Sequence, residues 1–118
     1  MSDVDLYIMR FPSEVQARLV SIRQTALNVF GDAEERLYHG VPSLFQNGHD
    51  FMNYGAYKNH ISICVGYDWV DFLKSQYPQF NYTKSTITFQ HDASFPDDIV
   101  QTICGLLKHS LAVSGKQA

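Results

Sequence analysis

The sequence predicts an α+β fold, a two-layer sandwich with helices on one face of a mainly antiparallel sheet of about four to five strands. Three observations carry this. Apolar residues recur at helical spacing near both ends of the chain, and at period two in the stretch between. The strand-like runs are joined by links of hairpin length, too short for the crossover that parallel strands need. Helical stripes at the two ends of the chain can then cover one face of the sheet.

Each element follows in chain order. Residues 1–6 and 114–118 are polar and are expected to fray. A helix is predicted over residues 13–30, with Ser13 and Gln16 as a capping box and Val15, Leu19, Ile22, Ala26 and Val29 as its buried stripe. Gly31 suits a left-handed cap at its end. Asp32 and Glu35 repeat the capping-box pattern, which predicts a second, short helix ending near Tyr38, before Gly40 and Pro42.

From residue 43 the period changes to two. A strand around residues 44–46 leads into Asn47-Gly48, a favoured hairpin turn, and a second strand occupies residues 50–57. Lys58-Asn59 turns the chain into a third strand over residues 60–65, where Ile61, Ile63 and Val65 alternate with His60, Ser62 and Cys64. Residues 68–77 read as a short helix capped by Asp68 and stopped before Pro78. A fourth strand covers residues 86–90, with Ile87 and Phe89 inward. Pro96 opens the last helix, whose first turn holds Asp97 and Asp98 at the positive dipole end. Its buried face is Ile99, Ile103, Leu106, Leu107 and Leu111.

Bulk composition excludes several classes. At 118 residues the chain suits one domain over its whole length, with a core that needs no metal or disulfide staple. A hydrophobic share of 45% against 18% charged residues argues against disorder. The net charge is −3 and no run is rich in Lys or Arg, so the footprint of a nucleic-acid binder is missing. No run of some 18 apolar residues could span a membrane, and the N-terminal residues lack the pattern of a signal peptide. Cys64 and Cys104 are too few for a disulfide framework and read as reduced thiols, which implies a cytoplasmic protein.

Signatures of the common hydrolases, nucleotide-binding loops and zinc proteases are absent, as is any Cys/His zinc spacing, so no catalytic residue is assigned. Strand parity instead points to a surface. If the helices cover the face of Ile61, Ile63, Val65, Ile87 and Phe89, the other face must carry His60, Ser62, Cys64, Thr86 and Thr88. Lys58 and Lys84 share those parities. Such a face is either simply solvated, or it gathers Lys58, His60 and Lys84 around a small anion, with Tyr38 and Tyr54 as walls, or it docks a second copy of the chain.

The segment Glu34-Glu35-Arg36-Leu37-Tyr38-His39-Gly40-Val41-Pro42 is the other candidate. On a helix, Glu34 or Glu35 would share a face with Tyr38. Asp32, Glu34 and Glu35 are oxygen ligands of the kind hard cations such as ferric iron favour, although helix starts attract the same residues.

Taken in order, several pieces carry a family resemblance along nearly the whole chain. They are residues 7–12, Ile22-Arg23, residues 34–42, Ala56-Tyr57-Lys58-Asn59-His60-Ile61, Lys84-Ser85-Thr86-Ile87-Thr88-Phe89 and Phe95-Pro96. Together they resemble the YdhG-like family, also known as domain of unknown function 1801. The resemblance implies a frataxin-like α+β fold. It also implies a bacterial iron chaperone that supplies iron to iron–sulfur cluster or haem assembly proteins. Frataxins hold iron on an acidic ridge of the first helix. Here residues 13–30 contain only Glu14 as an acid, with Arg18 and Arg23 as bases, so an iron site would lean on Asp32, Glu34 and Glu35.

Overall fold

The structure, a computed structural model, describes residues 2–95 and 97–117. Its elements in order are α1 (Asp3–Met9), α2 (Ser13–Val29), β1 (Glu34–Tyr38), β2 (Val41–Gln46), β3 (His49–Ala56), β4 (His60–Cys64), α3 (Tyr67–Gln76), β5 (Asn81–Tyr82), β6 (Thr86–Gln90) and α4 (Asp97–Gln117). The six strands form one sheet in the order β1-β2-β3-β4-β6-β5, antiparallel at every pairing. The predicted class therefore holds, with more strands than the four to five expected. Pro96, predicted to open α4, lies outside the described residues.

Three elements depart from the sequence reading: α1, β1 and the two-residue β5, where no strand was predicted. Residues 3–9 form a helix rather than a frayed end. Ser2 Oγ accepts the Asp5 N–H at 3.1 Å and Asp5 Oδ2 accepts the Ser2 N–H at 2.9 Å, a true capping box. Val4, Tyr7 and Ile8 then supply a buried helical stripe. Residues 34–38 form a strand rather than a helix. Their burial alternates, with Glu35 and Leu37 inward and Glu34, Arg36 and Tyr38 outward. His39 and Gly40, at φ of 53° and 81°, make the tight turn that pairs this strand with β2. Helix-forming Glu, Arg and Leu misled the local reading, because pairing with a neighbouring strand overrides weak propensity.

Smaller corrections concern the helix ends. Pro12, not Ser13, is the N-cap of α2, and Gln16 instead donates from Nε2 to the Phe11 carbonyl at 2.7 Å. Gly31 is not left-handed, since the chain leaves the helix at Phe30. Gly66 rather than Asp68 precedes α3.

The helix-side face of the sheet meets α1, α2, α3 and α4 in one core. Ile61, Ile63, Val65, Ile87 and Phe89 are all buried in it, as parity predicted, beside Leu44, Met52 and Tyr54. The stripes of α2 and α4 pack against these residues through Leu19, Ile22, Ile99 and Ile103. Val100 and Cys104 join them, and burial pushes the Cys104 thiol up to about 12.

Tyr7 shows how α1 is tied in. Its hydroxyl accepts the Ala56 N–H at 3.0 Å and reaches the Ala56 carbonyl at 3.4 Å, closing the end of β3 with a side chain. Tyr7→Phe should therefore leave a buried N–H unpaired and cost about 1–3 kcal/mol. Urea unfolding measures this, and an unchanged midpoint would show that the hydroxyl is dispensable.

Candidate functional site

The helix-free face of the sheet is polar. Register aligns Arg36, Ser43, Asn53, Cys64 and Thr86 across five strands in one row. The next row carries Gly55, Ser62 and Thr88. Between them lies a recess of about 180 Å³ lined by Val41, Asn53, Tyr54, Gly55, Tyr57, Ser62, Cys64 and Thr86, although the Tyr54 ring itself is buried in the core. Gly55 helps to make the room. A Cβ at this position would stand 3.0 Å from Val41 Cγ1 and 3.5 Å from the Tyr57 hydroxyl, so any side chain would crowd the recess. Tyr57, half exposed, stacks on the His60 ring at 5.1 Å between centroids.

One atom of the recess is out of balance. Asn53 Oδ1 is buried and accepts no hydrogen bond from the described residues. Buried acceptors are nearly always satisfied, so this atom is an exception, and its burial shields it from the open recess.

The predicted anion-binding set does not come together as a clamp. Lys58 lies in the β3–β4 link beside His60, whereas Lys84 lies in the link before β6. Because β4 and β6 run antiparallel, with His60 opposite Gln90 and Cys64 opposite Thr86, the lysines stand beyond opposite ends of β4. The strand between them spans roughly 13 Å, too far for one small anion to meet both directly. Tyr38 is exposed at the end of β1, where it packs edge-on against Phe45, while Tyr54 points into the helix side.

The acidic set is also divided by strand geometry. Glu34 and Glu35 project to opposite faces. Glu34 is exposed near Arg36, and Asp32 accepts from Gln46 Nε2 at 3.2 Å. Glu35 is engaged on both oxygens: Oε1 accepts from Arg23 Nε at 2.7 Å and Oε2 from the Tyr54 hydroxyl at 3.0 Å. Arg23 also donates to Asp5 Oδ1 at 2.6 Å, so one guanidinium joins α1, α2 and β1. Burial, followed by the Glu35 charge, pushes the Tyr54 phenol up and keeps it a donor. Among the described residues, no three His, Cys, Asp or Glu side chains gather where they could hold a metal ion.

No protein-family model matches the sequence, and no curated protein matches it. The architecture does have a match among solved structures. The crystal structure of YdhG from Bacillus subtilis, a DUF1801-family protein, superposes with a TM-score of 0.81, covering 93% of this chain and 92% of that one at 11% identity. The fold is that of a DUF1801 protein. The match runs over nearly the whole of both chains and is not confined to a shared core. At this identity the likeness speaks for the DUF1801 fold and not for any site on it.

The sequence reading named Ser62, Cys64 and Thr86 for the open face but missed Asn53, Gly55 and Tyr57. The same parity argument reaches them, because Met52, Tyr54 and Ala56 alternate with them along β3 and face the core. Among the described residues no helix is long and apolar enough to cross a membrane.

Proposed function

We propose that this protein is a small-molecule-binding member of the DUF1801 family that holds its ligand on the open face of the sheet. The recess over Gly55, lined by polar side chains of β3, β4 and β6, carries the reading. A rigid sheet supplies the floor, alternate residues of β3, β4 and β6 supply the polar groups, and helices on the far side hold the strands in register. The free thiols of Cys64 and Cys104 fit a reducing, cytoplasmic setting.

The experiment is a fragment screen read by amide chemical shifts. The expected hits perturb Gly55, Ser62, Cys64 and Thr86 together and saturate. Hits confined to the helical face, or none at all, would refute the proposal. Ferrous iron titrated anaerobically in parallel tests the iron-chaperone alternative. Saturable uptake that is lost in Glu34→Gln would transfer the function to the carboxylates of β1 and away from the recess.

A further inference from the structure

We infer that the free edge of β1 pairs with β1 of a second copy of this chain, joining two sheets antiparallel across a twofold axis centred on Glu35. The inference concerns the sheet edge and is independent of the binding function proposed for the open face. It starts from the two ends of the sheet. One edge is β5, only two residues long. The other is β1, five residues with no proline, paired with β2 without a bulge. An edge of that kind invites another strand.

The hairpin fixes which backbone groups face outward. With only His39 and Gly40 in the turn, Tyr38 and Val41 form a hydrogen-bonded pair, and the pairs alternate from there. Leu37 stands opposite Pro42, which has no N–H to give, in agreement with that parity. Glu35 and Leu37 therefore direct their N–H and C=O groups away from β2. No strand lies beyond β1 to receive them.

Charge selects the register. Glu34 and Arg36 are both exposed on the helix-free face, two residues apart and of opposite sign. Pairing centred on Glu35 sets Glu34 of each copy opposite Arg36 of the other. Pairing centred on Arg36 would set the two guanidiniums face to face. Pairing centred on Leu37 would run each strand into the other's His39-Gly40 turn. On the helix side the two Glu35 side chains become neighbours, but each is only 9% exposed and already held by Arg23 and Tyr54.

The helix layer adds to the junction. α1 packs on β1 and β2, α2 on β3 and α3 on β6, so α1 is the helix nearest the free edge. A twofold axis perpendicular to the sheet keeps the helices of both copies on one side and makes their α1 helices neighbours. Leu6 and Met9, three residues apart on α1, are half exposed and lie opposite its buried stripe of Val4, Tyr7 and Ile8. This apolar pair is the surface that α1 offers beside the junction.

Sedimentation equilibrium of the full chain is the test, carried up to about 1 mM, where even weak pairs associate. A dimer is expected, and added salt should weaken it. Glu34→Arg puts arginine opposite arginine, and Arg36→Glu puts glutamate opposite glutamate. Each variant alone should therefore self-associate about tenfold or more weakly. Mixed together, the two should form a heterodimer as tight as the parent dimer, because each facing pair is again opposite in sign. Both side chains are exposed, so the fold should survive either change. Hydrogen exchange at the Glu35 and Leu37 amides needs no variant, and it should slow as the parent concentration rises.

A parent chain that stays monomeric to about 1 mM would overturn the inference. A dimer in which those two amides exchange at an unchanged rate would move the contact to another surface and overturn it equally. Variants that self-associate like the parent, or that fail to pair with one another when mixed, would refute the register centred on Glu35.

Discussion

Arg23→Met is expected to lower the unfolding free energy by about 3–5 kcal/mol, because it strands a buried carboxylate. The Glu35 side chain is only 9% exposed, and Arg23 is the cation that faces it, at 2.7 Å. Tyr54 would still donate to Glu35, but a neutral phenol cannot replace the guanidinium. The double variant Arg23→Met with Glu35→Gln should recover most of the loss, since the stranded charge is then gone. Urea unfolding of the two variants measures both quantities. A loss below about 1 kcal/mol in the single variant would place the pair among ordinary surface ion pairs.

Asp5 gives the same network an acid signature. The Ser2 backbone N–H, and after it Arg23, hold the Asp5 carboxyl down from 3.8 to about 2. A carboxyl depressed in the folded state stabilises the fold above its ordinary value, and that contribution is lost as pH falls through the folded value. Asp5→Asn should therefore be less stable than the parent at pH 6, and the difference should shrink as pH drops from about 4 towards 2. A difference that stays constant over this range would assign the effect to packing rather than to charge.

Phe89→Ala is expected to cost about 3–5 kcal/mol, the range for emptying an aromatic site in a core that cannot collapse. Phe89 is 0% exposed on the helix side of β6. Phe80 packs against it edge-on at 4.8 Å between centroids and Phe95 at 5.1 Å, so both lose their partner along with the buried area. Phe72→Ala, at a position 43% exposed on α3, is the control and should stay within about 0.5 kcal/mol of the parent. Equal losses in the two variants would refute the placement of Phe89 in the core and Phe72 at the surface. The recess lies on the opposite face of the same strands, so Phe89→Ala also asks whether the site tolerates a loosened core.

The central strands were legible because their signal is local. Asn47-Gly48 adopts the left-handed pair of angles that a tight hairpin needs, and Ile61, Ile63, Ile87 and Phe89 alternate with polar residues over their whole runs. The N-terminal helix was not read, because polar residues suggested a frayed end, although the Ser2–Asp5 spacing marks its start. Residues 34–38 were not. Their composition suits a helix, and only the turn at His39-Gly40 and the pairing with β2 make them a strand. β5 is two residues long, too short for any periodicity to show.

The candidate site divides in the same way. Alternation along a strand is a property of the backbone itself, so the sequence alone determined that Ser62, Cys64 and Thr86 face away from Ile61, Ile63 and Ile87. Which of those residues meet is a matter of strand order and register, and these depend on partners far away in the chain. Tertiary structure therefore decided that Asn53, Gly55 and Tyr57 join the recess and that Lys58 and Lys84 stand apart. It also decided that Glu35 turns inward to Arg23 while Glu34 faces solvent, because a strand sends adjacent side chains to opposite faces where a helix would have kept them close.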